Sequence, residues 1–306
     1  MKDLKGRDFL SVADLNRQEI KGLLQLATEL KTASICPLAR NKVLGLLFDK
    51  ASTRTRVSFS VAMYQLGGQV INLNPNVTQV GRGESIEDTA RVLDRYLDVL
   101  AIRTFSHQDL QIFADYARIP IINALTDWEH PCQILADLLT IQECFGSLED
   151  LIVTYLGDGN NVAHSLLLGA AMMGMNIRVA TPNGYEPDKE IVQTAQKLAS
   201  IGVEIIITEE PVAAVKGAQV LYTDVWASMG QEDERKERIP LFIPYQVGAE
   251  LLNYADSEAI VLHCLPAHRG EEISSAVLEG ARSRVWDQAE NRLHAQKALL
   301  VSLLGV

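Results

Sequence analysis

The sequence predicts an α/β protein of two doubly wound parallel-sheet domains, with an interdomain active-site cleft. Three observations predict this fold: short apolar runs along the whole chain, helical patterns that alternate with them, and polar residues at the ends of several runs. Alternating strands and helices favour parallel sheets, which place binding sites at the carboxyl ends of their strands. The chain of 306 residues is long enough to form two compact domains.

The first half alternates predicted strands with predicted helices. The strands are expected at 43–48, 69–73, 98–102 and 119–122, and the helices at about 16–31, 54–66, 85–96 and 109–117. The run 43–48 is apolar throughout, which is typical of a strand buried on both faces. Gly67 and Gly68 are typical of a helix end. A further helix is expected at 133–145.

The second half repeats this alternation and closes with a helix. Its strands are expected at 151–156, 177–180, 203–207, 219–222 and 259–262, and its last helix at 289–304. The segment 231–238 carries charges of both signs and is expected to form a solvated helix face or a mobile loop.

Composition argues against several classes of partner. The net charge is −11 and no basic stripe is visible, so we expect no nucleic-acid partner. No apolar run approaches the ~18 residues that span a bilayer, so we expect no membrane insertion. The first residues resemble neither a signal peptide nor a transit peptide, which predicts a cytoplasmic protein. The scattered cysteines are expected to be reduced thiols; they are Cys36, Cys132, Cys144 and Cys264.

The run Ser52-Thr53-Arg54-Thr55-Arg56 follows the first predicted strand and opens a helix. The first N–H groups of a helix have no backbone partner, and the helix dipole favours an anion there. Guanidinium groups bind phosphate through paired hydrogen bonds. The run therefore predicts a site for a small anion. The alternative is a serine that only caps the helix, beside two solvated arginines.

Polar residues also follow several other predicted strands. They are Arg103, the run His130-Pro131-Cys132-Gln133, Asp224 with Ser228-Met229-Gly230 nearby, and the run His263-Cys264-Leu265-Pro266. Taken alone, a histidine or a buried cysteine is more typical of packing than of catalysis. Because such residues recur at strand ends in both halves, they predict a ligand cleft between two domains.

The run Gly157-Asp158-Gly159-Asn160-Asn161 is similar to part of a dinucleotide-binding fingerprint. Val162 stands where the third glycine belongs, and no acidic residue clearly ends the next strand. A nucleotide-binding oxidoreductase, or a non-catalytic ligand-binding module, therefore remains only an alternative. Asn160 and Asn161 can instead donate their amides to a carboxylate.

Together, these motifs resemble the ornithine carbamoyltransferases of the aspartate/ornithine carbamoyltransferase family. The resemblance runs from Phe9 to Leu304. The Ser52–Arg56 run marks the wider family, whereas Ser228-Met229-Gly230 and His263-Cys264-Leu265-Pro266 select ornithine over aspartate; Trp128-Glu129, before His130, departs from many relatives. The resemblance implies transfer of a carbamoyl group from carbamoyl phosphate to the δ-amine of L-ornithine, giving L-citrulline and phosphate in arginine metabolism. It implies no metal and no organic cofactor.

The resemblance also implies site residues. Carbamoyl phosphate would bind to Ser52, Thr53, Arg54, Thr55, Gln79, Arg103, His130, Pro131, Cys132, Gln133, Cys264, Leu265 and Arg292. Ornithine would bind to Asn161, Asp224, Ser228 and Met229, and the catalytic residues would be Cys264, Asp224, Arg103 and His130. The carbamoyl phosphate-binding domain would comprise 1–132 with the helix 289–306, and the ornithine-binding domain 133–288. The protein would form a homotrimer in which Gln79 reaches a neighbouring subunit's site.

Residue chemistry gives these groups expected roles. Arg103, His130 and Thr55 are expected to donate to the carbamoyl oxygen, which becomes an oxyanion during transfer. Gln133 is expected to accept from the carbamoyl NH2 group. Cys264 is the candidate base or proton relay for the δ-amine. Sister enzymes that carbamoylate putrescine or an acetylated ornithine remain alternatives.

Overall fold

A computed structural model describes residues 4–32, 35–49, 52–74, 83–227 and 232–306. The chain divides into two compact units, the first Met1–Leu139 with Glu290–Val306 and the second Thr140–Ala289. The domain limit expected at residue 132 and the limit at Leu139 both fall within one helix, Pro131–Phe145.

Among the described residues, the first unit contains a four-stranded parallel sheet. Its strands are β1 (Val43–Phe48), β2 (Gln69–Leu73), β3 (Val99–Arg103) and β4 (Ile121–Leu125). They lie in the order β2-β1-β3-β4. The order reverses at β1, because β2 pairs with one of its edges and β3 with the other. The carboxyl ends of β1 and β3 therefore flank the point where open α/β sheets bind ligands.

The helices of the first unit follow the expected pattern. They are α1 (Arg17–Thr32), α2 (Thr53–Gln65), α3 (Ile86–Leu93), α4 (His107–Tyr116) and the start of α5 (Pro131–Phe145). One face of α1 is buried at helical spacing, through Ile20, Leu23, Leu24, Ala27 and Leu30. Ser85 and Ser106 cap α3 and α4 by accepting hydrogen bonds from the N–H groups of Asp88 and Asp109.

The second unit repeats this architecture, with five parallel strands in its described part. They are β5 (Ile152–Leu156), β6 (Asn176–Ala180), β7 (Ile205–Thr208), β8 (Val220–Thr223) and β9 (Ile260–His263), in the order β7-β6-β5-β8-β9. Here the order reverses at β5, which pairs with β6 and β8. The carboxyl ends of β5 and β8 therefore flank a second such point.

The helices of the second unit are mostly short. They are α6 (Asn161–Met173), α7 (Lys189–Leu198), α8 (Pro211–Val215), α9 (Arg235–Phe242), α10 (Ala249–Leu252) and α11 (Ser275–Leu278). The last helix, α12 (Val285–Leu304), begins in the second unit and ends in the first. Every residue of α6 after Asn161 is buried, as expected for a helix that is mostly apolar.

Each sheet packs against its own apolar cluster. In the first unit the buried cluster comprises Leu47, Ala90, Leu97, Leu100, Ile102, Leu110, Phe113 and Ile121. In the second unit it includes Leu156, Ala180, Val215, Leu221, Val247, Val261, Ile273 and Leu278. Most of these residues come from the strands and from the helices that follow them, so each cluster joins a sheet to its helices.

The predicted fold class is confirmed, since both units are α/β domains with parallel sheets. Among the helices the largest boundary error is at α12, which was expected from residue 289 and begins at Val285. Among the strands it is at β4, which was expected at 119–122 and spans Ile121–Leu125. Its limits follow from pairing with β3, which runs from Leu100 opposite Ile121 to Arg103 opposite Leu125. The interdomain cleft stays a prediction. No helix in the described ranges is long and apolar enough to cross a bilayer.

Candidate active site

The anion site expected in the first unit lies at the reversal point of its sheet. Ser52 is the N-cap residue of α2, directly after β1, but its side chain makes no capping hydrogen bond. Its hydroxyl instead accepts a hydrogen bond from Nη1 of Arg103, at 3.4 Å. Arg103 ends the neighbouring strand β3 and is buried. The alternative of a serine that only caps the helix is therefore wrong.

A second arginine reaches the start of α2 from the C-terminal helix. Thr55 is buried, and its Oγ1 accepts a hydrogen bond from Nη2 of Arg292 at 2.6 Å. Arg292 lies on α12 and is only 3% exposed. A buried guanidinium is costly unless charged or polar partners surround it. The hydrogen bond therefore holds the Arg292 guanidinium beside the start of α2.

The pKa of His130 is affected by several positive charges in this region. Its side chain is buried, and its pKa is held well below the usual value by burial and by the positive charges of Arg292, Arg103 and Arg54. The imidazole is therefore neutral at neutral pH and can donate one hydrogen bond without adding charge. Three guanidinium groups act on one histidine in a chain of net charge −11. This concentration of positive charge suits a small anion.

The first turn of α5 places three expected residues after His130. Pro131 is the first residue of the helix. The thiol of Cys132 donates to the carbonyl oxygen of Asn123 at 3.3 Å, and burial raises its pKa to about 12. It therefore remains a protonated thiol that packs inside the unit. Gln133 is fully buried, and its Nε2 donates to Oδ1 of Asp137 at 2.8 Å.

The second unit brings together two of the expected catalytic residues. Asp224 follows β8 and Cys264 follows β9, and both side chains are buried. The thiol of Cys264 donates to Oδ1 of Asp224 at 2.9 Å. Nδ2 of Asn160 donates to Oδ2 of the same carboxylate, also at 2.9 Å. The Asn160 amide, expected to be available to a ligand carboxylate, is therefore engaged by the protein itself.

The glycines before α6 have a structural explanation. Gly157 has φ of 134°, a conformation that other residues rarely adopt. A Cβ on Gly159 would lie 2.2 Å from the backbone nitrogen of Pro187. The backbone of this segment thus approaches the 186–187 segment too closely for any side chain. Asn160 caps α6 by accepting from the N–H groups of Val162 and Ala163, and Asn161 begins the helix.

The backbone of Leu265 is held in an unusual conformation after β9. Its φ is 60°, which is uncommon for a residue other than glycine. Its N–H donates to Nδ1 of His263 at 2.9 Å, and Nε2 of His263 lies 3.1 Å from Oε1 of the buried Glu272. Nε2 must therefore carry the imidazole proton.

Two groups of side chains have metal-ligating atoms within 4.8 Å of one another in the described ranges. They are Asp224, His263 and Cys264, and His268, Glu271 and Glu272. Hydrogen bonds already join Cys264 to Asp224 and Arg235 to Glu271. That the protein has no resident metal stays a prediction from the family resemblance.

The mixed-charge segment is not entirely solvated, which corrects that expectation. Arg238 on α9 is buried, and its Nη1 lies 3.0 Å from Oδ2 of Asp158. Its guanidinium also covers the ring of Tyr185, 4.9 Å from the centroid, and pairs with Glu234. Burial raises the pKa of Asp158 to about 6, although Arg238 opposes this.

Three expected site residues lie outside the described residues: Gln79, Ser228 and Met229. Sequence reasoning also missed three side-chain pairings in and near the site. Asp137 stands four residues after Gln133, so two polar residues at helical spacing in the apolar first half of α5 could have revealed their pairing. The partnership of Asn160 with Asp224 and that of Arg238 with Asp158 span 64 and 80 positions, and no local pattern signals either.

Family models match almost the whole chain. Residues 7–143 match the carbamoyl-P binding domain of aspartate/ornithine carbamoyltransferase, and residues 149–303 match the Asp/Orn binding domain of that family. These two segments correspond closely to the two sheets described above.

Individual relatives agree with the family models. An ornithine carbamoyltransferase from Synechocystis sp. is 69% identical over 306 residues, covering 100% of this chain and 99% of the relative. The ornithine carbamoyltransferase structure from Pyrococcus furiosus is 48% identical with a TM-score of 0.96, covering 99% of this chain and 98% of that one. That from Gloeobacter violaceus is 56% identical with a TM-score of 0.90, covering 98% and 99%. The chain therefore belongs to the aspartate/ornithine carbamoyltransferase family.

Proposed function

We propose that the protein is an ornithine carbamoyltransferase. It transfers the carbamoyl group of carbamoyl phosphate to the δ-amine of L-ornithine and releases L-citrulline and phosphate, in arginine metabolism and chiefly in biosynthesis. The proposal rests on one observation in each unit. The first unit holds guanidinium groups near His130, and the second holds the hydrogen-bonded pair Cys264 and Asp224. Relatives at 61–69% identity are named ornithine carbamoyltransferase, which supports the choice of amine.

The phosphate group is proposed to bind at the start of α2. The backbone N–H groups of Thr53, Arg54 and Thr55 belong to the first turn of that helix, where no backbone carbonyl precedes them as a partner. Arg54 and Arg103 supply positive charge. Since phosphate leaves as a di- or trianion, these groups also stabilise the leaving group as the C–O bond breaks.

The carbamoyl carbon passes through a tetrahedral intermediate with a negatively charged oxygen. Arg103, Thr55 and neutral His130 are proposed to donate hydrogen bonds to this oxygen. Because His130 stays neutral, it donates without repelling the surrounding guanidiniums. Arg292 orients Thr55 through the 2.6 Å hydrogen bond. Removing one such donor typically costs about 100- to 1000-fold in kcat.

Ornithine must lose a proton from its δ-ammonium before attack, because a free amine of this type has a pKa of roughly 10.4. Cys264 is proposed to relay that proton. Its thiol gives its own proton to Asp224, at 2.9 Å, and takes up the proton of the ammonium. Asn161, Asp224, Ser228 and the Met229 backbone are the proposed ligands of the α-carboxylate and α-ammonium groups. The assignments of Cys264 and Leu265 to the carbamoyl group also remain predictions.

The second candidate function is carbamoyl transfer to putrescine or an acetylated ornithine. Putrescine has no α-carboxylate, and acetylation removes the charge of the α-ammonium. The negative charge of Asp224, held by two hydrogen bonds, favours a free α-ammonium group instead. A nucleotide-dependent oxidoreductase is less consistent with the chain, because close backbone packing accounts for Gly159.

The protein is proposed to act as a homotrimer in the cytoplasm, with Gln79 completing a neighbouring subunit's phosphate site. Apolar side chains exposed on the first unit support self-association. On α2, Val57 is 54% and Tyr64 71% exposed, and Ile71 on the edge strand β2 is 45% exposed. Exposed apolar side chains of this size occur at subunit interfaces.

The test is citrulline or carbamoyl-product formation with ornithine, putrescine, N-acetylornithine and aspartate side by side. Ornithine is expected to give the highest kcat/KM by at least about 100-fold. Arg292→Met should lower kcat by about 100-fold or more, while Arg91→Met, at an exposed position of α3, should leave it unchanged. Equal or faster turnover of putrescine would replace the proposal with the second candidate. An absorbance scan that revealed a bound nucleotide would support the oxidoreductase.

A further inference from the structure

Gln133 holds an amide whose two ends have opposite hydrogen-bonding properties. The Nε2 end donates to Oδ1 of Asp137 at 2.8 Å. The Oε1 end is buried and accepts no hydrogen bond in the part of the chain that the structure describes. A buried carbonyl oxygen without a donor is unfavourable, so a donor from outside the protein is the natural partner of this oxygen.

The chemistry of carbamoyl phosphate supplies that donor. Its NH2 group donates two hydrogen bonds and accepts none. His130 directly precedes this helix, and the charged groups that lower its pKa are all arginines. Arginine side chains offer only hydrogen-bond donors. The NH2 group therefore needs an acceptor, and Gln133 Oε1 meets this need only if the amide points that way. If the Gln133 amide were flipped, its own NH2 group would face the NH2 group of the ligand, and two donors cannot form a hydrogen bond.

Asp137 determines which way the amide points. It lies one helical turn after Gln133 on α5, and both side chains are 0% exposed. A carboxylate accepts hydrogen bonds and donates none, so it pairs only with the Nε2 end of the amide. The helix fixes the distance between the two side chains. The pairing therefore presents Oε1, and not Nε2, on the side away from Asp137.

We infer that Asp137 is a positioning residue that gives the carbamoyl phosphate site its selectivity for an NH2 group. It acts through Gln133 and touches no substrate itself. The inference rests on the proposed function, because it requires a carbamoyl ligand. Its consequence is that a ligand with CH3 in place of NH2 gains nothing from Gln133.

The test compares two stable probes that differ only in this group, phosphonoacetamide and phosphonoacetone, by titration calorimetry. The full-length wild-type protein should bind the amide about tenfold more tightly than the ketone, the value of roughly one hydrogen bond. Asp137→Leu should bring the ratio of dissociation constants close to one, with little change for the ketone. Asp98→Asn, which removes a carboxylate that pairs with Lys42 in the same unit, should keep the wild-type ratio.

A double-mutant cycle distinguishes the positioning role of Asp137 from a purely structural role. Gln133→Met should lose the preference for the amide, and adding Asp137→Leu to it should change neither dissociation constant further. If Asp137→Leu does not fold, the exchange Gln133→Glu with Asp137→Asn serves instead. There the asparagine donates to the new carboxylate, which still presents an oxygen, so the preference should return. Gln133→Glu alone should bind both probes poorly, because two carboxylates then face each other.

The outcomes distinguish this inference from the proposed function. A wild-type protein that binds neither probe overturns both. A wild-type preference for the amide that persists in Asp137→Leu overturns the positioning role alone. A further loss caused by Asp137→Leu in the Gln133→Met background also overturns it, because Asp137 would then act by another route. A preference that disappears with Asp137 and returns with the exchange supports it.

Discussion

Replacing Asp158 with asparagine should change how the stability of the protein depends on pH. Asp158 is 8% exposed, and burial raises its pKa from 3.8 to about 6, with Arg238 opposing the rise. At about 1.4 kcal/mol per pKa unit, the difference between 3.8 and about 6 corresponds to about 3 kcal/mol of free energy. This is a large part of the stability of an ordinary domain.

The direction in which the free energy of unfolding changes with pH depends on whether the folded or the unfolded state binds the proton of Asp158 more tightly. The folded protein retains the proton to about pH 6, whereas the unfolded chain releases it near 3.8. The free energy of unfolding therefore falls as the pH rises between these values, and the loss persists above them. Asp158→Asn lacks this titration. Relative to the variant, the wild type should lose up to about 3 kcal/mol between roughly pH 4 and pH 7.

Urea unfolding at several pH values measures this difference. Tryptophan fluorescence, to which the buried Trp226 of the same unit contributes, follows the unfolding, and far-UV circular dichroism checks the helical content. Asp94→Asn is a control of opposite sign. Burial acts to raise the pKa of Asp94, but hydrogen bonds from Arg118 and its positive charge lower it, so its contribution is lost as the pH falls. Parallel curves for wild type and Asp158→Asn would refute the reasoning.

Four further predictions concern turnover and binding. Cys264→Ala should lower kcat by about 100-fold or more but change the KM for carbamoyl phosphate by less than about threefold; unchanged turnover at every pH would remove the relay. Arg292→Met takes away a positive charge that lowers the pKa of His130, so any residual activity should show its acid limb at higher pH, and an unmoved limb contradicts this. Calorimetry should detect weak or no ornithine binding without carbamoyl phosphate; equal affinity with and without it argues against ordered binding. Mixed oligomers of Gln79→Ala and Arg54→Ala chains should partly recover activity if sites are shared, and no recovery would place Gln79 outside the neighbouring site.

The strands could be predicted because each is an apolar run whose burial requires a sheet. Their ends could not be predicted to the residue, because pairing with a neighbour decides them. Arg103, for example, would end most sequence-based strands as a charged residue, yet it pairs with Phe48 as the last residue of β3. The same pairing brings its guanidinium to the hydroxyl of Ser52. Residues at strand ends were therefore predictable as a set, while their mutual contacts were not.

Residues that act through other residues were harder to predict. The hydrogen bond between Thr55 and Arg292 joins positions 237 residues apart, so only family resemblance pointed to Arg292. The charges around Arg238 are typical of a solvated helix, and nothing local shows that its partner is Asp158. Such pairs depend on which helix packs beside which strand end. That information belongs to the folded chain and not to any short segment.

The close approach at Gly159 has a consequence for reading variant data. In a saturation screen, every substitution at this position should fail, because even the Cβ of alanine would overlap the backbone of Pro187. The failures would resemble those at a ligand-binding glycine, but a folding assay would register them as well as an activity assay. Substitutions at Cys264 should fail in the activity assay but pass the folding assay, whereas substitutions at Gly159 should fail in both. A glycine that tolerates no replacement can thus mark a crossing of two backbones with no ligand involved.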